Sequence, residues 1–161
     1  MALEIERKFL VKDKSYVKAS FGHYDIKQGY IAHQNGNSVR IRISDKEALL
    51  TIKGPSDDKG MSRYEWNHHI ELEEGLELIA LCGDNLIEKS RYLVHSGPHV
   101  FEVDEFHGVN EGLVVAEVEL QSETDAFEKP DFIGREVTGD RRYYNYHLLH
   151  CPYSSWNEDA R

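Results

Sequence analysis

Four pairs of like charge, each two residues apart, are the part of this sequence that could do chemistry. Arg40 and Arg42 flank Ile41, and Lys89 and Arg91 flank Ser90. Glu102 and Asp104 flank Val103, and Glu117 and Glu119 flank Val118. In an extended strand alternate side chains share a face, so each pair stands about 7 Å apart on one surface and repels. A solvated sheet face usually mixes its signs, because opposite charges stabilise one another across strands. Any one of these strands alone would read as a solvated face. Repetition over several strands, with one sign on each, points to a counter-charge supplied by a ligand. Guanidinium groups grip phosphate through two parallel hydrogen bonds, and lysines act as point charges. Carboxylates without His or Cys partners suit hard ions such as Mg²⁺ or Mn²⁺. The two sets together fit metal-assisted phosphoryl chemistry on a polyanion.

The elements that must position these residues are strands. Leu3–Val11, Gln28–His33, Ser38–Ser44, Glu47–Lys53, Met61–Leu72, Lys89–His95, His99–Phe106 and Leu113–Gln121 read as strands with period-two alternation. Ser44-Asp45-Lys46 and Ser96-Gly97-Pro98 suit hairpin turns. Four segments read as helices: Asp13–Ser20, Glu73–Leu81, Thr124–Phe132 with Pro130 limiting it, and Gly139–His150. Tyr30 lies in the second strand, and Arg63 shares a face with Glu65 in the fifth. The expected fold is β-rich α+β: an antiparallel barrel of about eight strands with a charged lumen and its apolar side outward, covered by the helices. The lumen would hold Lys8, Arg40, Arg42, Lys53, Lys89 and Arg91 against Glu4, Glu6, Glu65, Asp104, Glu117 and Glu119.

Bulk properties narrow the partners. The chain has 161 residues, enough for one domain with a sizeable core. Its 29 acidic residues outweigh 19 Lys and Arg, for a net charge of −10. That balance argues against nucleic acid, whose binders use an excess of basic side chains to displace counterions, and against an anionic membrane. Two cysteines, Cys82 and Cys151, make neither a zinc site nor a disulfide framework. The opening MALEIERKFL has charge where a signal peptide needs an apolar run, so a cytoplasmic protein is expected. The nine histidines show no metal-ligand spacing on a shared face and read as surface or structural.

These pieces, in this order, resemble the CYTH family of triphosphate tunnel metalloenzymes. Glu4-Ile5-Glu6-Arg7-Lys8 matches the family's ExExK signature. It is followed by Gly29-Tyr30-Ile31, Val39-Arg40-Ile41-Arg42, Thr51-Ile52-Lys53-Gly54, Arg63-Tyr64-Glu65, Lys89-Ser90-Arg91-Tyr92, Glu102-Val103-Asp104, Ala116-Glu117-Val118-Glu119 and Glu136-Val137-Thr138-Gly139-Asp140. The resemblance implies an eight-stranded antiparallel β tunnel over residues 1–150, with 151–161 as a C-terminal tail. It implies a small-molecule triphosphate substrate and Mg²⁺ or Mn²⁺ as cofactor. It places Lys8, Arg40, Arg42, Lys53, Lys89 and Arg91 on the triphosphate, joined by Tyr30 and Arg63. It places Glu4, Glu6, Asp104, Glu117 and Glu119 on the metal, and Glu65 on the metal or on the arginines. Lys89, coupled to Glu4, is the candidate catalytic lysine. The compact length and the EIERKFLV opening look most like the short bacterial branch, whose members are often inorganic triphosphatases. A homodimer is compatible with the family, and no interface is legible in the sequence. Class IV adenylate cyclases and thiamine triphosphatases share the tunnel and stand as alternatives, as does a non-catalytic polyphosphate- or nucleotide-binding module.

Overall fold

A computed structural model describes residues 2–161. Nine strands form one antiparallel sheet: β1 (Ala2–Val11), β2 (Gly22–Gln34), β3 (Asn37–Ser44), β4 (Glu47–Lys53), β5 (Ser62–Ile70), β6 (Leu86–Ser96), β7 (His99–Phe106), β8 (Val114–Glu119) and β9 (Ile133–Glu136). Their order is β5-β4-β3-β2-β6-β7-β8-β1-β9, and β5 also pairs with β1. Eight strands therefore close into the expected barrel. The ninth is additional. It pairs with β1 at Phe9 and Val11, whereas β5 takes the first half of β1, from Ala2 to Ile5.

Tight turns set the register. Asn35 and Gly36 both adopt positive φ between β2 and β3, and Asp45 does so between β3 and β4. Asn, Asp and Gly tolerate this region best, which is why they occupy hairpin turns. The expected turn at Gly97-Pro98 also forms, with Gly97 at φ 57°. The second strand begins six residues earlier than its alternation suggests, at Gly22.

Three helices are present among the described residues: α1 (Ser15–Ala19), α2 (Leu72–Leu81) and α3 (Asn145–His150). The helix expected over Thr124–Phe132 does not form. That segment is a turn, irregular chain and a second turn, and Asp125 Oδ2 accepts from the Gln121 amide instead of capping a helix. Its aromatic residues pack sideways onto the barrel, with Phe127 6.0 Å from Phe9. The helix expected over Gly139–His150 is broken into a 3₁₀ turn, Arg141–Tyr143, and α3, because Tyr144 is extended at φ −75°, ψ 133°. Leu72 belongs to α2 and not to β5, which ends at Ile70. A Cβ on Gly75 would stand 2.4 Å from the Ala48 side chain, so α2 lies directly on β4.

Two apolar cores hold the barrel. The outer one joins Phe9, Phe101 and Val118 to Tyr16 of α1 and to Phe132. The second closes one end of the lumen. Leu10, Ile87, Phe106 and Val115 have the parity of the inward charges, yet they pack with Tyr143, Leu148 and Trp156. The segment after Cys151 takes part in this plug: Trp156 lies 5.3 Å from Tyr143, and its indole Nε1 donates to the Cys151 carbonyl. Among the described residues no helix is long and apolar enough to cross a membrane.

Candidate active site

Strand parity points the charged residues inward, and the barrel encloses a cavity of about 1430 Å³. Small-molecule sites usually occupy roughly 300–1,000 Å³, so there is space for a hydrated polyanion. Of the residues expected in the site, all but Asp104 line this cavity. The inward charges fall into three paired groups and a remainder that is unpaired or, at Glu6, met only by Arg63 at 4.0 Å.

The first group sits on β6 and β7. Asp104 is 1 % exposed, and its Oδ2 accepts from Lys89 Nζ at 2.6 Å and Arg91 Nη2 at 2.8 Å. Its Oδ1 accepts from Arg91 Nε at 2.7 Å, and Arg91 also pairs with Glu102. Asn145 of α3 adds a third contact, accepting from Lys89 Nζ at 3.1 Å. Burial raises a carboxyl, but Arg91 and Lys89 outweigh it and hold Asp104 below its ordinary value. For Lys89 burial wins over the pull of Asp104, and its ammonium is pushed down to about 8.

The second group joins β1, β4 and β5. Lys53 Nζ donates to both Glu4 oxygens at 3.0 and 2.9 Å and meets Glu65 at 2.7 Å. Arg63 Nε donates to Glu4 at 3.1 Å. Against the burial that would raise it, Lys53 draws Glu65 down to about 2. In the third group Lys8 meets Glu117 at 3.2 Å across β1 and β8. Burial opposes both charges, yet the pair overrides it: Lys8 stands above its ordinary value and Glu117 well below.

The remainder is what distinguishes this lumen from a self-neutralised one. Among the described residues Arg40 and Arg42 have no carboxylate partner. Arg40 Nη2 donates to Thr51 Oγ1 at 3.3 Å, and the Nε of both arginines is buried without a partner. Burial and the nearby Arg40 and Arg91 push Arg42 down to about 10. The opposite surplus lies on β1 and β8. Burial, with Glu117 and Glu4 nearby, raises Glu6 to about 7. Burial, followed by Glu4, Glu102 and Glu65, also raises Glu119, which has no basic partner. In the closed order of eight strands, β3 and β8 are four strands apart in either direction. The unpaired arginines and the crowded carboxylates therefore face each other across the lumen.

Two expectations change. Asp104 does not face open space, because its oxygens are consumed by Lys89 and Arg91, and it acts here as their anchor. Lys89 is not coupled to Glu4: it bonds Asp104 and Asn145, while Glu4 bonds Lys53 and Arg63. Glu102 and Asn145 belong to the site and were not assigned to it from the sequence. Glu102 was legible from its shared parity with Asp104. Asn145 carried no signal, since it lies in an aromatic, non-alternating stretch. Tyr30 lines the cavity and its hydroxyl accepts from Gln28 Nε2 at 3.3 Å. Three histidines, His33, His99 and His147, also line the cavity: His33 stacks on Tyr146 at 3.7 Å, and His99 meets Asp125 at 3.2 Å.

The carboxylate wall is all hard oxygen, and its crowding raises Glu6 and Glu119, so it has the chemistry of a divalent-cation site. Among the described residues no three acidic, His or Cys groups stand in a ready ligating array. Lysines occupy Glu4, Glu65 and Glu117 instead.

Comparison with known proteins agrees with this geometry. A family model described as CYTH domain matches residues 2–144. An inorganic triphosphatase of Acetivibrio thermocellus is 45% identical over 159 residues, covering 98% of this chain and 100% of that protein. An inorganic triphosphatase of Nitrosomonas europaea is 34% identical over 149 residues, covering 88% and 93%. Among solved structures, the crystal structure of an inorganic triphosphatase superposes with a TM-score of 0.61 at 31% identity, covering 92% of this chain and 95% of that one.

Proposed function

The chain belongs to the CYTH domain family, and on that premise we propose that it is a metal-dependent triphosphatase whose substrate is inorganic triphosphate. One observation carries the reading: two unpaired arginines, Arg40 and Arg42, face a wall of crowded carboxylates across a closed lumen. Either wall alone would suit simple ion binding. Together they suit a polyanion and its cation at once.

The residues divide the work by their partners. Arg40 and Arg42 have donors to spare and take phosphate oxygens, bidentate where the fork allows. Lys8, Lys53, Arg63 and Arg91 are already held by carboxylates, so they present fixed positive charge without reorganising as the reaction proceeds. Tyr30 contributes its hydroxyl to the same surface. Glu4, Glu6, Glu117 and Glu119 would hold Mg²⁺ or Mn²⁺, with Glu65 and Glu102 at the edge of that set. The bound ion would neutralise phosphate charge and acidify a water. Lys89, clamped by Asp104 and Asn145 where the lumen narrows toward the plug, presents one ammonium proton to the phosphate under attack. Water adds to the terminal phosphorus, the bridging P–O bond breaks, and orthophosphate and pyrophosphate leave.

The test is a substrate panel. Tripolyphosphate, ATP and thiamine triphosphate are each incubated with Mg²⁺ and with Mn²⁺, and the products are separated. Tripolyphosphate is expected to turn over fastest, releasing orthophosphate. Cyclic AMP as the principal product from ATP, or binding without turnover in every mixture, would overturn the proposal.

A further inference from the structure

Buried polar atoms without partners gather on the arginine wall. Besides the Nε of Arg40 and of Arg42, the Oε1 of Gln28 is buried and unbonded. Gln28 is 0 % exposed and lies on β2 directly opposite Arg42 of β3, with the same inward parity. Directly opposed residues hold their Cβ atoms about 4.5–5.5 Å apart, so the Gln28 carbonyl and the Arg42 Nε–H can meet by side-chain rotation alone. An acceptor and a donor that suit each other are thus both left unbonded on neighbouring side chains. A buried carbonyl without a donor costs free energy, and native folds rarely leave one so.

The surroundings of Gln28 leave that carbonyl little choice. On its other side Gln28 is opposed by Ile87 of β6, which belongs to the apolar plug and offers no side-chain donor. The strand cannot draw back either: a Cβ on Gly29 would stand 2.6 Å from Cys82 Sγ, so the end of α2 presses on β2 there. The other half of the carboxamide is already engaged, because Gln28 Nε2 donates to the Tyr30 hydroxyl at 3.3 Å. That bond fixes the direction of the Tyr30 proton. A phenol whose oxygen accepts from Gln28 has its single O–H left to donate, and Tyr30 and Arg42 both line the cavity.

We propose that Gln28 is a positioning residue for the triphosphate grip: its carbonyl takes the Arg42 Nε–H once phosphate engages that guanidinium, and its NH₂ keeps Tyr30 a donor to the same anion. The inference rests on the reading of the lumen as a triphosphate site. Gln28 itself touches no substrate and acts through the two side chains it orients. With Nε held by Gln28, both terminal nitrogens of Arg42 point at phosphate oxygens in one plane, as a bidentate contact requires. With its oxygen held by Gln28 Nε2, Tyr30 presents a proton and not a lone pair, so it attracts an anion where a freely turning hydroxyl would not always do so. Binding of the anion thereby satisfies two polar atoms that are unbonded without it, which adds to the affinity without any further contact to substrate.

Gln28→Met tests the proposal, since it keeps the length of the side chain and removes both polar atoms. Without ligand the variant is expected to melt no lower than the parent, because an unbonded buried carbonyl is gone. Its KM for tripolyphosphate, and its dissociation constant for tripolyphosphate measured calorimetrically in chelator, should both rise roughly 5- to 30-fold, with kcat held within about twofold. Arg42→Met and Tyr30→Phe should each cost less binding in the Gln28→Met background than in the parent, because what Gln28 orients is already misplaced there. Gln28→Glu keeps the shape but sets a carboxylate against Arg42, and it should bind tripolyphosphate more weakly still. A Gln28→Met or Gln28→Glu variant with the parent's dissociation constant overturns the proposal. So do effects that simply multiply with those of Arg42→Met and Tyr30→Phe. These outcomes leave the triphosphate reading standing, whereas a parent that fails to bind tripolyphosphate overturns both.

Discussion

Arg42 gives the sharpest test of the reasoning about surplus charge, because replacing it should move stability and binding in opposite directions. Its guanidinium lies among Arg40 and Arg91 with no carboxylate partner, and burial together with those two charges pushes its pKa down to about 10. For a base, a depressed folded-state value means that the charged form is disfavoured in the fold. The cost is therefore present in full at neutral pH and fades only as pH rises above about 10. A fully dry group with that shift would cost about 3 kcal/mol. Arg42 is half-buried on a wet lumen, so about 1–2 kcal/mol is the reasonable figure. Arg42→Met keeps the stem and removes the charge. Without ligand, the variant should melt about 3–6 °C higher than the parent, since 1 kcal/mol shifts a domain of this size by about 2–4 °C. With substrate the sign reverses. Loss of one or two charge-assisted contacts costs about 2–3 kcal/mol, a rise of roughly 30- to 150-fold in KM for tripolyphosphate. The assays are thermal melts with and without tripolyphosphate and steady-state phosphate release. A variant that is less stable than the parent without ligand, or that keeps the parent's KM, refutes the claim that β3 carries unspent charge.

Two further perturbations separate roles that the sequence left together. Asp104→Ala removes the shared anchor of Lys89 and Arg91 and strands two buried charges, so it should destabilise by about 3–5 kcal/mol whether or not Mg²⁺ is present. Melting the variant with metal and with chelator reads this; a loss that appears only with metal would return Asp104 to the metal set. Lys89 is depressed to about 8, so its charge is complete below that value and is lost as pH rises through it. The kcat profile should therefore fall on the alkaline side near pH 8 for the parent. That limb should vanish in Lys89→Arg and move to lower pH in Asn145→Ala, where the ammonium loses an acceptor. An alkaline limb unmoved by both variants would detach it from Lys89.

Much of the barrel was legible because its lumen is written in the parity of charged residues. Arg40/Arg42 and Glu117/Glu119 needed only the alternation of a strand to be set on one face. Their position on opposite walls depends on strand order, which parity does not encode. The ninth strand was missed because Ile133–Glu136 is four residues long, too short for a period to emerge. The segment before it, Thr124–Phe132, offered a helix start that the barrel overrides by burying Phe127 and Phe132 sideways against Phe9 and Tyr16. The carboxylate that Lys89 meets escapes motif order for a related reason: register between β6 and β7 sets Asp104 opposite Arg91 and Phe106 opposite Lys89, and Lys89 reaches Asp104 along the diagonal. The plug was in principle readable. Leu10, Ile87, Phe106 and Val115 continue the inward parity of Lys8, Lys89, Asp104 and Glu117, and the change from charge to bulk at the same end of four strands marks where the lumen stops.

The charge ledger of the lumen explains how so acidic a chain can hold a polyanion. With Arg63 and Glu102 included, seven basic side chains face seven acidic ones. That set of inward strand residues sums to zero, so the −10 arises from the rest of the chain, including Asp57, Asp58 and Asp125, which also line the cavity. In salt of physiological strength that outer charge is screened beyond about 8 Å, whereas charges inside the barrel, walled by low-dielectric strands, are screened far less. A phosphate at Arg42 therefore responds mainly to the lumen, and within the lumen neutrality is only an average. Register pairs Lys8, Lys53 and Arg91 with carboxylates, Lys89 reaches Asp104 on the diagonal, and the arginines of β3 and the carboxylates Glu6 and Glu119 are left without full compensation. Separation of two uncompensated walls by the width of one barrel, and not any excess of positive charge, is what a triphosphate and its cation would both relieve on binding.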